Sequence, residues 1–207
     1  MTIDQLLDAL KAPADRNRAL ELLESVVVDR DDRLVRCLVG IIGEPDSVQD
    51  TNRFASLLTD LGTDAFIKPL VMCIGSATPG QSTWLTDYMY ALASLLIDHE
   101  EPYPADEAFI HRLGDWLFST GGGEVSWKAG EILAELQHPA TRSYLVQNVS
   151  DAALFHQTRV ACLRGLVNQY REDAARVLAA LVEDPEEPIR EAATDAQRHL
   201  RIIEQEA

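Results

Sequence analysis

The chain has 207 residues, 46% hydrophobic and 25% charged, which supports a sizeable core and excludes a disordered protein. Its 34 acidic and 18 basic residues leave a formal charge of −16. That field repels phosphate backbones and anionic lipids, so it argues against nucleic acid and membrane as partners and favours a basic protein.

Strand signals are nearly absent, and apolar residues recur at intervals of three and four. Ile3, Leu6, Leu7 and Leu10 form a first stripe ended by Pro13, after which Asp15 is placed to cap a second helix carrying Leu20, Leu23 and Val27. Residues 1–30 are thus expected as an N-terminal helical cap. Helix pairs follow, separated by turn residues. Leu34 to Ile42 precedes Asp50 to Leu61, and Phe66 to Ile74 precedes Ser82 to Ile97. Glu107 to Phe118 leads through Gly121-Gly122-Gly123 to a helix containing Leu133. Thr141 to Val149 leads to a helix containing Leu166, and Asp173 to Val182 to a final helix containing Gln197.

Taking Leu58, Leu92, Leu133, Leu166 and Gln197 as register marks, the spacings are 34, 41, 33 and 31 residues. A unit of that length cannot bury its own apolar face and must stack on its neighbours. The long interval places an inserted loop around Asp98 to Asp106. The expected fold is all-α, a right-handed α-α superhelix or α-solenoid of about five helix pairs behind the cap, with 1–207 as a single domain and repeats over 34–200.

The segment Leu181-Val182-Glu183-Asp184-Pro185-Glu186-Glu187-Pro188-Ile189-Arg190-Glu191-Ala192-Ala193 resembles a HEAT repeat of the short bacterial kind, with its Asp-Pro turn, helix-start Arg and run of alanines. The resemblance implies that a turn Asp and a helix-start Arg belong together, as Asp184 with Arg190 and Asp151 with Arg159. Ser126, Leu85 and Thr51 stand at the Arg place elsewhere and interrupt the pattern. Solenoids similar to this one include DNA-base glycosylases and bilin lyases. The first use a cationic face that a charge of −16 opposes.

Few constellations suggest chemistry. The three glycines before Lys128 invite a phosphate-loop reading, but no strand precedes them and no Ser or Thr follows the lysine, so they are read as an interhelical turn. Glu107 and His111, four apart on one helix, are the one nameable acid–base pair. No metal site is expected and no cofactor. Cys37, Cys73 and Cys162 lie far apart inside apolar patterns, which suits packing in a reducing compartment. The opening Met1-Thr2-Ile3-Asp4-Gln5 lacks a basic start and apolar run, and the expected location is the cytoplasm.

In such a stack the second helix of each pair lines the concave face. Trp84, Asp87, Tyr88, Trp127 and Glu131 fall on those helices and are expected to meet a partner. Lys128 and Glu135 share the face with Glu131, and Arg164 and Arg171 lie on a later second helix. The inserted loop adds Glu100, Glu101 and Tyr103 to the docking candidates. The function expected from these residues is a non-catalytic protein-interaction module. Its sharpest form is an acidic immunity or inhibitor protein covering a basic partner such as a toxin. The alternatives are a lyase or accessory enzyme using the concave groove, and a structural scaffold.

Overall fold

The computed structural model describes residues 2–24, 31–99, 102–119 and 123–206, which are helical almost throughout. They form two compact units, Met1–His99 and Glu100–Ala207, where the sequence reading has a single domain. The division falls in the loop that the longest repeat spacing marks as inserted.

In the first unit the helices are α1 (Ile3–Lys11), α2 (Pro13–Glu24), α3 (Asp32–Ile42), α4 (Thr51–Leu61), α5 (Ile67–Ser76) and α6 (Leu85–Ile97). Thr2 starts α1 with a capping box, and Asp31 and Asp50 cap α3 and α4 by accepting the Arg33 and Arg53 amides. Gly62, at φ 52°, ends α4 in the left-handed conformation. Pro13 does more than end the first stripe. It opens α2, where its missing N–H costs nothing, and Asp15 sits inside the first turn and does not precede it. First helices stack in order, α1 on α3 and α3 on α5, while α4 packs on α6 and α5 on α6.

The second unit holds α7 (Glu107–Ser119), α8 (Glu124–Glu135), α9 (Pro139–Val149), α10 (His156–Gln169), α11 (Arg171–Leu181) and α12 (Glu187–Glu206). Its two layers are plain: α7 packs on α9 and α9 on α11, while α8 packs on α10 and α10 on α12. Each unit is therefore a stack of helix pairs of the α-solenoid type. The register leucines Leu58, Leu92, Leu133 and Leu166 are each 0% exposed, as interlayer core requires. Among the described residues the one strand pairing is a two-residue parallel ladder, Tyr103 with Leu136 and Pro104 with Gln137. Among the described residues no helix is long and apolar enough to cross a membrane.

Two buried arginines carry the repeat in a form the sequence reading does not contain. Arg159, at the start of α10, donates from Nε to the Val149 carbonyl at 3.2 Å, and its guanidinium pairs with Asp184 and with Glu186 at 3.4 Å. Arg16, in α2, donates from Nε to the Leu10 carbonyl at 3.0 Å and from Nη1 to Glu44 at 3.1 Å and to Ser47. In both cases the side chain satisfies the end of its own first helix and then reaches the turn of the next pair. The α1–α2 pair, expected as a cap, carries the same kind of link to the turn that follows it, and with it the described residues hold six helix pairs.

The expected pairing of Asp151 with Arg159 is corrected. Arg159 binds the following turn, and Asp151 instead accepts the Ala153 amide at 2.9 Å. Arg190 does meet its own turn, but through the Asp184 and Pro185 carbonyls at 2.7 and 2.8 Å.

Candidate functional site

Small residues bring α8 and α10 together. A Cβ added to Gly165 would lie 2.8 Å from Ala134 Cα, and one added to Gly130 would lie 3.3 Å from the Thr158 carbonyl oxygen. At Gly165 only glycine permits so close an approach between helix backbones, and at Gly130 a side chain would be tightly confined. Gln169 Nε2 also donates to the Ala134 carbonyl, fastening the end of α10 to α8.

Charged side chains flank this contact. Lys128, Glu131 and Glu135 fall at helical spacing on one face of α8, with Arg164 facing them from α10. Lys128 Nζ lies 2.8 Å from Glu131, and the two side chains are only 12% and 16% exposed. Lys128 also stands over the Trp127 ring at 3.9 Å. Arg164 Nη2 donates to Glu135 at 3.0 Å, and the Glu135 side chain is 16% exposed. Arg164 Nε is buried and has no hydrogen-bond partner among the described residues.

Burial pushes the Glu135 carboxyl above the usual carboxylate range. Glu131 pushes the same way, and Arg164 opposes without reversing the direction. A half-buried carboxyl that holds its proton more tightly than usual beside a guanidinium is a candidate for proton transfer.

The acid–base pair expected from sequence also forms, but on the other layer. His111 Nε2 lies 3.4 Å from Glu107, and its Nδ1 lies 2.8 Å from the Tyr144 hydroxyl. Tyr144 is admitted by Gly114, where a Cβ would stand 2.2 Å from the phenol ring. Helices α7 and α9 form the first-helix layer, so Glu107 and His111 cannot serve a groove lined by second helices. The imidazole is half-exposed, and burial followed by Asp115 pushes the Tyr144 phenol up, away from the ionised form.

The expected docking residues fare unevenly. Trp84 and Tyr88 are 6% and 0% exposed. Their rings pack 5.2 Å apart, with Phe54 6.1 Å beyond Tyr88, so both are core and not anchors. Asp87 accepts hydrogen bonds from Thr51 and, at 3.4 Å, from Asn52, so it ties α6 to α4. Trp127 is half-buried under Lys128, and Glu131 is ion-paired. Tyr103 is half-buried and held by the ladder to Leu136, which fastens the inserted loop to the end of α8. Glu100 and Glu101 lie outside the described residues.

Among the described residues, no three His, Cys, Asp or Glu side chains gather as a metal site would require. Burial pushes the Cys73 thiol up to about 11 and that of Cys162 up to about 12, as packing residues show.

No family model matches the chain, and no curated protein matches it. Among solved structures it is similar to human deoxyhypusine hydroxylase in complex with glycerol, at 17% identity over 94% of each chain with a TM-score of 0.35. At that score the likeness assigns neither a family nor an activity to this chain. The expectation of a non-catalytic immunity or inhibitor protein is nonetheless corrected. Trp84 and Tyr88, the aromatic anchors on which it rests, are core, and Asp87 is committed to α4.

Proposed function

We propose that this chain is a HEAT-like helical-repeat enzyme, or accessory enzyme, working by general acid–base chemistry on the α8–α10 face. The observation that carries the reading is Glu135. This carboxyl is largely withdrawn from solvent and held protonated more firmly than an ordinary glutamate, although Arg164 lies 3.0 Å away. A fold maintains such an arrangement at a cost, and that cost is characteristic of functional sites.

Glu135 is the proton donor, returning to its starting state by taking a proton back at the end of the cycle. Arg164 holds an anionic group of the substrate, and Lys128 with Glu131 fixes the rest of the charged face. The Arg16 and Arg159 wiring supports the HEAT-like assignment, and the three free cysteines fit a cytoplasmic setting.

The test is to incubate the protein with a metabolite extract and follow it by mass spectrometry. A species consumed by the parent protein and untouched by Glu135→Gln is expected. If no species depends on Glu135, or if the variant turns it over at the parental rate, the assignment fails.

A further inference from the structure

We propose a second ligand site in the first unit, a cleft between α1 and α3 that takes a small organic molecule bearing one carboxylate or phosphate. It goes beyond the acid–base site and shares no residue with it. The cleft is a broad, solvent-open depression of about 630 Å³, a volume that accommodates a small ligand. One wall comes from α1, through Leu7 and Lys11, and the other from α3, through Arg33, Arg36, Cys37 and Gly40.

Charge is what makes it unusual. The chain as a whole carries −16, yet each acid lining the cleft already has a cation. Asp4 lies 2.9 Å from Arg33, Asp8 lies 3.9 Å from Lys11, and Glu44 lies 3.1 Å from Arg16. Arg36 is left over, exposed and without an ion-pair partner among the described residues. Lys11 stands on the opposite wall in a long, solvated pair with Asp8 that an incoming anion can replace. An anionic group held between Arg36 and Lys11 gains two charge-assisted hydrogen bonds, and the one carboxylate it displaces, Asp8, is 82% exposed and is hydrated in exchange.

Space for the body of the ligand lies further along α3. A Cβ added to Gly40 would meet nothing within 4 Å, so the wall there is open, and the Cys37 thiol beside it is only partly covered. Burial pushes that thiol up, with Lys11 and Arg16 pulling against it, so Cys37 is a neutral contact and not a nucleophile.

The probe is 8-anilinonaphthalene-1-sulfonate, an organic anion whose fluorescence reports binding, displaced in separate titrations by benzoate and by inorganic phosphate. Saturable binding at one site is expected, weakened roughly tenfold by Arg36→Glu and blocked by Gly40→Phe, which fills the open wall. Arg36 is exposed and Gly40 faces open space, so both variants are expected to keep the parental circular dichroism and melting temperature. A loss of binding accompanied by a lost fold is read instead from Arg36→Gln, which should weaken the probe by a smaller factor than Arg36→Glu. Displacement by benzoate alone, by phosphate alone or by both supports the site and identifies the anion it prefers. Displacement by neither, or equal probe affinity in the parent, Arg36→Glu and Gly40→Phe, overturns it. None of these outcomes depends on Glu135.

Discussion

Glu135, half-buried, and Tyr88, fully buried, act on stability in ways that can be measured. A carboxyl whose folded pKa is raised above its ordinary value of 4.5 withdraws stability as the pH climbs through that interval, because the unfolded chain ionises first. Glu135→Gln removes that penalty and keeps an acceptor for Arg164. The variant should therefore unfold at the same or a higher urea concentration at neutral pH, even as activity is lost. Tyr88 is 0% exposed, and its hydroxyl has no hydrogen-bond partner among the described residues. Tyr88→Phe deletes an unsatisfied group and leaves the ring in place, so a gain of about 1 kcal/mol in chemical denaturation is expected. A loss would mean that the hydroxyl has a partner.

At the scale of the elements, the two arginine links are tested by comparison. Arg159 is 2% exposed and its partner Asp184 9%, whereas Glu44, the partner of Arg16, is 65% exposed. Removing Arg159 strands a buried carboxylate, so Arg159→Ala should cost about 3 kcal/mol. Arg16→Ala should cost about 1 kcal/mol, because Glu44 can be hydrated. Packing between α8 and α10 is set by Gly165, whose missing Cβ faces Ala134 main-chain and side-chain atoms at 2.8 and 2.9 Å. Gly165→Ala gains helix propensity but pushes the two helices apart. A net loss of about 1 kcal/mol is expected by calorimetry, together with a fall in any Glu135-dependent turnover.

For the whole molecule, pH and salt act through different groups. Arg142 holds the Asp173 carboxyl below its ordinary value of 3.8, and Arg159 does the same for Asp184. A depressed folded pKa gives stability that is complete above the unfolded value and lost as the pH falls through the folded one. Acid unfolding should therefore begin below about pH 4, and Asp184→Asn should flatten that part of the curve. The charge of −16 produces self-repulsion at neutral pH that added salt screens. The melting temperature should rise between roughly 0.05 and 0.5 M sodium chloride, spacing the tests well either side of a Debye length of about 10 Å.

Periodicity alone determined the helices, because an apolar residue every third or fourth position specifies a buried stripe wherever the stripe is packed. It placed Leu58, Leu92, Leu133 and Leu166 in the core and set helix bounds within a few residues of those observed. Which layer a side chain joins is a different matter, fixed by how one pair rests on the next. Trp84 and Tyr88 look alike in sequence whether they face a groove or the interior, and packing against Phe54 put them inside. Glu131, Glu135, Lys128 and Arg164 were visible singly. Arg164 meets Glu135 across 29 residues of chain only because Gly165 lets α10 rest against Ala134. The arginine wiring was hidden for the same reason: Arg16 and Arg159 reach forward into the next turn, at separations of 28 and 25 residues that no local pattern encodes.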